Sequence, residues 1–216
     1  MHFTRRHLLQ VGAAAALTRG IRFRTAYPLT IGACRSPKDA ALFAEGGAEY
    51  LEISCGEFVA SAPEAEWRER LARLKESPLP LRAANSFLPG TLHCVGPDAD
   101  HEAVLAHARI VFARAAEVGI RMITFGSAGA RQMPEGCVRE EAELQFTALL
   151  ARMAAPAAEH GVTVGVEPLQ TSECNFLNKL EEARRLVAAV NHAAIRLTAD
   201  VFHMLRAEES PDAIRK

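Results

Sequence analysis

Glu167 and the tetrad Asp200-Val201-Phe202-His203 each stand where an apolar run ends. The runs before them, 161–166 and 194–199, read as short buried strands. A carboxylate at the tip of such a strand has no packing reason to be there, because an apolar strand gains nothing from an unpaired charge. The two acids are 33 residues apart with a helical stretch between them. One strand-helix-strand unit of that length brings both to the same rim of a parallel sheet. Acidic groups held close repel unless a cation lies between them, and His203 adds a nitrogen ligand or proton carrier beside them. The pattern points to a metal-dependent active site.

The elements that must position these residues repeat along the chain. Strands are expected at 29–32, 48–53, 80–84, 121–125, 161–166 and 194–199. Helices are expected over 36–47, 63–76, 100–118, 139–160 with a kink at Pro156, and 178–190, followed by a polar segment to Lys216. The clearest is 100–118, where Val104, Ala108, Val111, Phe112, Ala115 and Val118 form one apolar stripe and Gly119 stops the helix. Six strand-helix units without hairpin turns predict an all-parallel α/β protein. A mean step of roughly 33 residues suits a (β/α)8 TIM barrel, ending here after about six units. A doubly wound sheet is the rival, but Gly32-Ala-Cys-Arg-Ser36 lacks the Gly-rich phosphate loop such a sheet carries after its first strand. Polar residues recur at the strand tips, namely Glu52, Asn85, Glu167 and Asp200.

Composition narrows the partners. The net charge is −1, and no basic stripe exists outside the first two dozen residues. A protein that lives on phosphate backbones needs such a stripe, so nucleic acid is not expected as a partner. Five scattered cysteines without a C-x-x-C pair provide neither a zinc site nor a disulfide framework. Residues 1–26 stand apart: Arg5-Arg6 precedes the Ala-rich run 10–17. This resembles a twin-arginine export signal, and the run is too short to span a bilayer. A periplasmic location through that route is expected, with no membrane attachment after signal removal; a cytoplasmic protein with a basic extension is the alternative. Residues 27–216 form the barrel portion.

Four stretches carry a family resemblance: Asn85-Ser-Phe-Leu-Pro89, Phe125-Gly-Ser-Ala-Gly-Ala-Arg131, Gly165-Val-Glu-Pro-Leu169 with Glu173-Cys-Asn175, and Asp200-x-x-His203-Met204. In their order and spacing the chain, from about residue 30 onward, resembles the sugar phosphate isomerase/epimerase family, the xylose isomerase-like TIM barrels. The resemblance implies that Glu167 and Asp200 bind one divalent metal ion (Mn, Mg, Co or Zn), that Glu167 also moves a substrate proton, and that His203 and Glu173 hold substrate hydroxyls. The implied function is isomerisation or epimerisation of a sugar or sugar phosphate through an enediolate. Members of that family take a further His and Glu from strands seven and eight, and this chain ends where strand seven would begin. Two protein carboxylates alone make a weak divalent site, completed mostly by water.

Further residues are candidates for the same pocket. Arg131 could grip an anionic substrate group with its fork of donors, and His93, Asn85 and Glu52 could line the wall. The partner expected is a small carbohydrate, and assembly into a homo-oligomer is compatible with it. Two other readings compete. One is a non-catalytic or vestigial exported barrel fragment. The other is a DNA-repair enzyme of the endonuclease IV type, whose site is rich in histidine; here Asn85 and Gly126 stand at the third and fourth strand tips instead.

Overall fold

The computed structural model describes residues 30–215. The twin-arginine segment and Leu29 lie outside the described residues. In chain order the elements are β1 (Gly32–Cys34), a 3-10 turn (Pro37–Asp39) running into α1 (Ala40–Glu45), and β2 (Tyr50–Ser54) with a second 3-10 turn (Cys55–Phe58). Then come α2 (Glu64–Lys75), β3 (Leu81–Asn85), α3 (His101–Val118), β4 (Met122–Phe125) and a short α4 (Ala128–Arg131). The series closes with α5 (Arg139–Glu159), β5 (Thr163–Val166), α6 (Leu180–Val190), β6 (Ile195–Leu197), α7 (Val201–Arg206) and a 3-10 turn (Pro211–Arg215).

All six strands join one sheet in sequential order, β1 to β6, and every pairing is parallel. That order excludes the doubly wound rival, whose strand order reverses midway. It is the arrangement of successive barrel strands, six of the eight in a TIM barrel. Helix α5 is one continuous element with Pro156 inside it. One expectation needs adjustment. The closing polar segment contains a helix, α7, because Asp200 caps it.

Strand alternation sorts the side chains into two environments. Leu51, Ile53, Ala84, Ile123, Phe125, Val164, Val166 and Ile195 face the helices and are buried. Against them pack Val104, Ala108, Val111 and Phe112 of α3 and Phe146, Leu149, Leu150 and Met153 of α5. Helix α3 starts where Asp100 accepts a hydrogen bond from Ala103 N at 2.9 Å, and it stops at Gly119, whose φ of 90° needs a residue without a Cβ. A run of ring contacts, Phe112–Phe87–Phe125–Phe146–Phe176, crosses the core beneath the strand tips at centroid spacings of 5.2 to 5.6 Å. Burying each ring stabilises the fold by about 1.5–3 kcal/mol.

The other strand face is concave and far more open; Met122 on it is 37% exposed. One irregularity decides what β3 shows to this side. The register between β2 and β3 slips by a residue, pairing Leu51 with Leu81 but Glu52 with Ala83, so Arg82 has no partner. This bulge restarts the alternation, burying Ala84 and setting Asn85 on the concave side.

Candidate active site

A cavity of about 630 Å³ opens at the C-terminal ends of the strands. Successive tips line it: Cys34 closing β1, Glu52 on β2, Asn85 closing β3, Thr124 and Gly126 at β4, Glu167 after β5, and Thr198 and Asp200 after β6. Glu173 and His203 complete the wall beside Glu167. The expected pocket residues Glu167, Asp200, His203, Glu173, Asn85 and Glu52 are therefore together.

Glu167, Asp200 and His203 each offer a ligand atom, and these atoms lie within 4.8 Å of one another. Two carboxylates held this close fit one divalent cation, with the imidazole beside them. Burial, and then the charge of Asp200, push the Glu167 carboxyl up to about 7; the Arg131 guanidinium pulls the other way. A metal-free pair of this kind holds protons that a cation displaces. The Glu52 carboxyl is also raised, first by burial, although hydrogen bonds from Thr124 and Asn85 oppose the shift.

Asp200 has two duties. Its Oδ1 accepts from Phe202 N at 2.7 Å and His203 N at 3.1 Å, capping α7, which leaves Oδ2 for the cavity. The orientation of His203 is set from behind: Gln170 N donates to its Nδ1 at 3.2 Å. With the Nδ1 lone pair engaged, the neutral ring carries its proton on Nε2 and offers a donor to a ligand oxygen. This chemistry suits a hydroxyl better than a cation. Gln170, which sequence reading missed, links the wall further: its Nε2 donates to Glu173 at 2.5 Å and its Oε1 accepts from Arg206 at 3.0 Å. Its place three residues after Glu167, in the loop leaving β5, is the one sequence signal it carried.

Space for the Glu167 carboxylate comes from Gly126. A Cβ there would fall on Glu167 Oε2, so no other residue fits without displacing the acid. Gly165 plays the same part for Thr198, whose hydroxyl occupies the volume of the missing Cβ.

Two expected residues are elsewhere. Arg131 was expected to grip substrate, but it is wholly buried. Its guanidinium lies between the rings of Phe125 and Phe146, at 5.8 and 5.9 Å, and Nη2 donates to the Glu167 carbonyl at 2.8 Å. It therefore braces the strand tip from beneath and cannot reach a ligand in the cavity. The short helix α4, whose start follows Ser127 at a φ of 41°, turns it inward. His93 is exposed and lies outside the cavity wall. His101 and His107 are engaged with the carbonyls of Cys94 and Phe87, at 2.9 and 3.3 Å.

No curated protein matches the chain by sequence alone. Solved structures do share its fold. A 3-keto-D-glucoside 4-epimerase from E. coli is 21% identical, with a TM-score of 0.70 over 87% of this chain and 74% of its own. The IOLI protein, solved with a binding zinc atom, is 16% identical, with a TM-score of 0.67 over 86% and 68% of the two chains. An AP endonuclease of family 2 from Brucella melitensis is 20% identical, with a TM-score of 0.67 over 87% and 74%. At these identities the likeness establishes the fold and leaves the reaction open. The family model described as xylose isomerase-like TIM barrel matches residues 40–216. With six sequential parallel strands and an acidic site at their C-terminal rim, the chain belongs to the xylose isomerase-like TIM barrel family.

Proposed function

We propose that this protein is a divalent-metal-dependent sugar or sugar phosphate isomerase/epimerase that works by proton transfer at a carbon beside a carbonyl. One observation carries the reading: Glu167, Asp200 and His203 converge within 4.8 Å in the cavity at the strand tips. The epimerase and the zinc-bound protein among the structural neighbours are consistent with it.

Glu167 and Asp200 would hold the ion, which when bound would polarise a substrate carbonyl and hydroxyl. Glu167 stands beside the reacting carbon and takes its proton, a task open to its carboxylate once the ion has displaced the proton it holds. The electron pair moves to the carbonyl oxygen, giving an enediolate. His203, with its donor on Nε2, and Glu173, as acceptor, orient hydroxyls. Arg131 holds the Glu167 backbone in place from below. The nucleic-acid reading is weaker, since the tips of β3 and β4 carry Asn85 and Gly126 and the net charge is −1. Export through the twin-arginine route is proposed with it, on Arg5-Arg6 and the apolar run that follows.

The test is elemental analysis by mass spectrometry coupled to proton exchange. One equivalent of Mn, Mg, Co or Zn per chain, lost in Glu167→Gln and Asp200→Asn, is the expected result, together with solvent deuterium entering a ketose at the carbon next to its carbonyl. A chain that binds no divalent ion, or whose variants bind it as well, refutes the proposal.

A further inference from the structure

The cavity holds a carboxyl that the chemistry above leaves unused. Glu52 sits on β2, three strands from β5 and four from β6 in the sheet order. In a curved parallel sheet of this kind that separation sets it across the concavity from Glu167 and Asp200. Its side chain points inward, and its Oε1 accepts from Thr124 Oγ1 on β4 at 3.4 Å, so it lies over the cavity floor. It is not one of the clustered ligand atoms, yet it is near enough to feel the charge of Asp200, and Glu167 feels the charge of Glu52. Among the described residues nothing basic pairs with it: its neighbours are the hydroxyl of Thr124 and the amide of Asn85, and Asn85 is turned inward by the bulge at Arg82. An acidic side chain kept half-buried without a cation is costly. It is less so for a carboxyl that spends part of its time protonated.

Inversion of a carbon requires what this arrangement offers. A proton leaves one face and another arrives on the opposite face, so one acid/base group cannot do both without the substrate turning over. We propose that Glu52 is the second acid/base residue of the site, acting on the substrate face opposite Glu167, so that the reaction inverts a stereocentre beside a carbonyl. The inference rests on the function proposed above and sharpens it from isomerase/epimerase to epimerase of a keto sugar. In the forward direction the C–H bond breaks as Glu167 takes the proton, and its electron pair moves onto the carbonyl oxygen. The O–H bond of protonated Glu52 then breaks, a new C–H bond forms on the other face, and the carbonyl is restored. Glu167 is left protonated and Glu52 ionised. Water resets both before the next turnover, so no oxidant or second substrate is needed.

Deuterium exchange separates this role from a structural one. The probes are the four D-ketohexoses and methyl 3-keto-D-glucoside, each incubated in D2O with Mn2+ and followed by NMR. For the unmodified protein both members of one epimer pair should exchange and interconvert. Glu52→Gln keeps the oxygen that accepts from Thr124 but cannot move a proton. It should lower interconversion by about 100-fold or more, while the epimer whose hydrogen faces Glu167 continues to exchange and its partner becomes inert. Glu52→Asp should restore part of the interconversion. Continued interconversion by Glu52→Gln, or equal loss of exchange in both epimers with unfolding unchanged, overturns the assignment. Should Glu52→Gln not fold, the one-sided loss of exchange must appear in Glu52→Asp, and its absence there overturns it equally. If the unmodified protein exchanges no probe, the function beneath the inference falls, a result distinct from retained epimerisation in the variant.

Discussion

Replacing Glu167 by Gln should make the metal-free protein more stable at pH 8, although it removes a central site residue. Glu167 is raised from 4.5 to about 7 in the folded chain, by burial first and by Asp200 second. Between these values the folded state binds more protons than the unfolded state, so stability falls as pH climbs through that window. The loss is complete above about pH 7. At about 1.4 kcal/mol per unit the ceiling is about 3.4 kcal/mol. Solvent reaches part of the carboxyl, and screening lowers the figure to about 1.5–2 kcal/mol. A Gln side chain does not titrate and is spared this penalty. Denaturant unfolding at pH 8 in EDTA should therefore place Glu167→Gln above the parent by about that amount, and at pH 4 the two should agree. Excess Mn2+ should reverse the order, since an ion at 100 times its Kd stabilises the parent by about 2.7 kcal/mol. Equal stabilities in EDTA at pH 8 would show that the Glu167 carboxyl carries no such penalty, and a variant that gains as much from Mn2+ as the parent would show that Glu167 does not bind the ion.

The remaining expectations concern the same neighbourhood. Titrating metal affinity against pH should show it falling about tenfold per unit below pH 7, as Glu167 regains its proton; a flat profile contradicts the raised carboxyl. Asp200→Ala should abolish metal binding and also cost about 1 kcal/mol through the lost cap of α7, whereas Asp200→Asn should lose the metal and keep most of the cap. Gly126→Ala should weaken metal binding at least tenfold by displacing the Glu167 carboxylate, which isothermal titration can measure, with circular dichroism unchanged. Phe146→Ala, which removes a fully buried ring beside Arg131, should cost about 3–5 kcal/mol in chemical denaturation.

The elements were legible because their signals are local. The apolar stripe of α3 and its Gly119 stop each follow from a few neighbouring residues, and they fall where periodicity places them. The meeting of Glu167 with Asp200 was legible for a related reason, as one crossover of 33 residues in a parallel sheet leaves little freedom. Arg131 misled for the opposite reason. Whether a guanidinium faces solvent or the core depended on a four-residue helix and on two phenyl rings, one of them far along the chain, and no short window contains that information. His93 failed similarly, on a loop whose path no periodicity describes. Gln170 escaped notice because its importance is relational: its backbone and both ends of its amide meet His203, Glu173 and Arg206, the farthest 36 residues away.

The unpaired residue at Arg82 makes β3 behave as two half-strands joined out of phase. Removing one residue there would carry Ala84 from the packed side to the open side and swing Asn85 away from Cys34, whose sulfur accepts from its amide at 2.9 Å. Everything after Asn85 could stay where it is. A change of one codon at this joint would thus rewrite the chemistry that a bound molecule meets on one wall, with the scaffold around it nearly untouched.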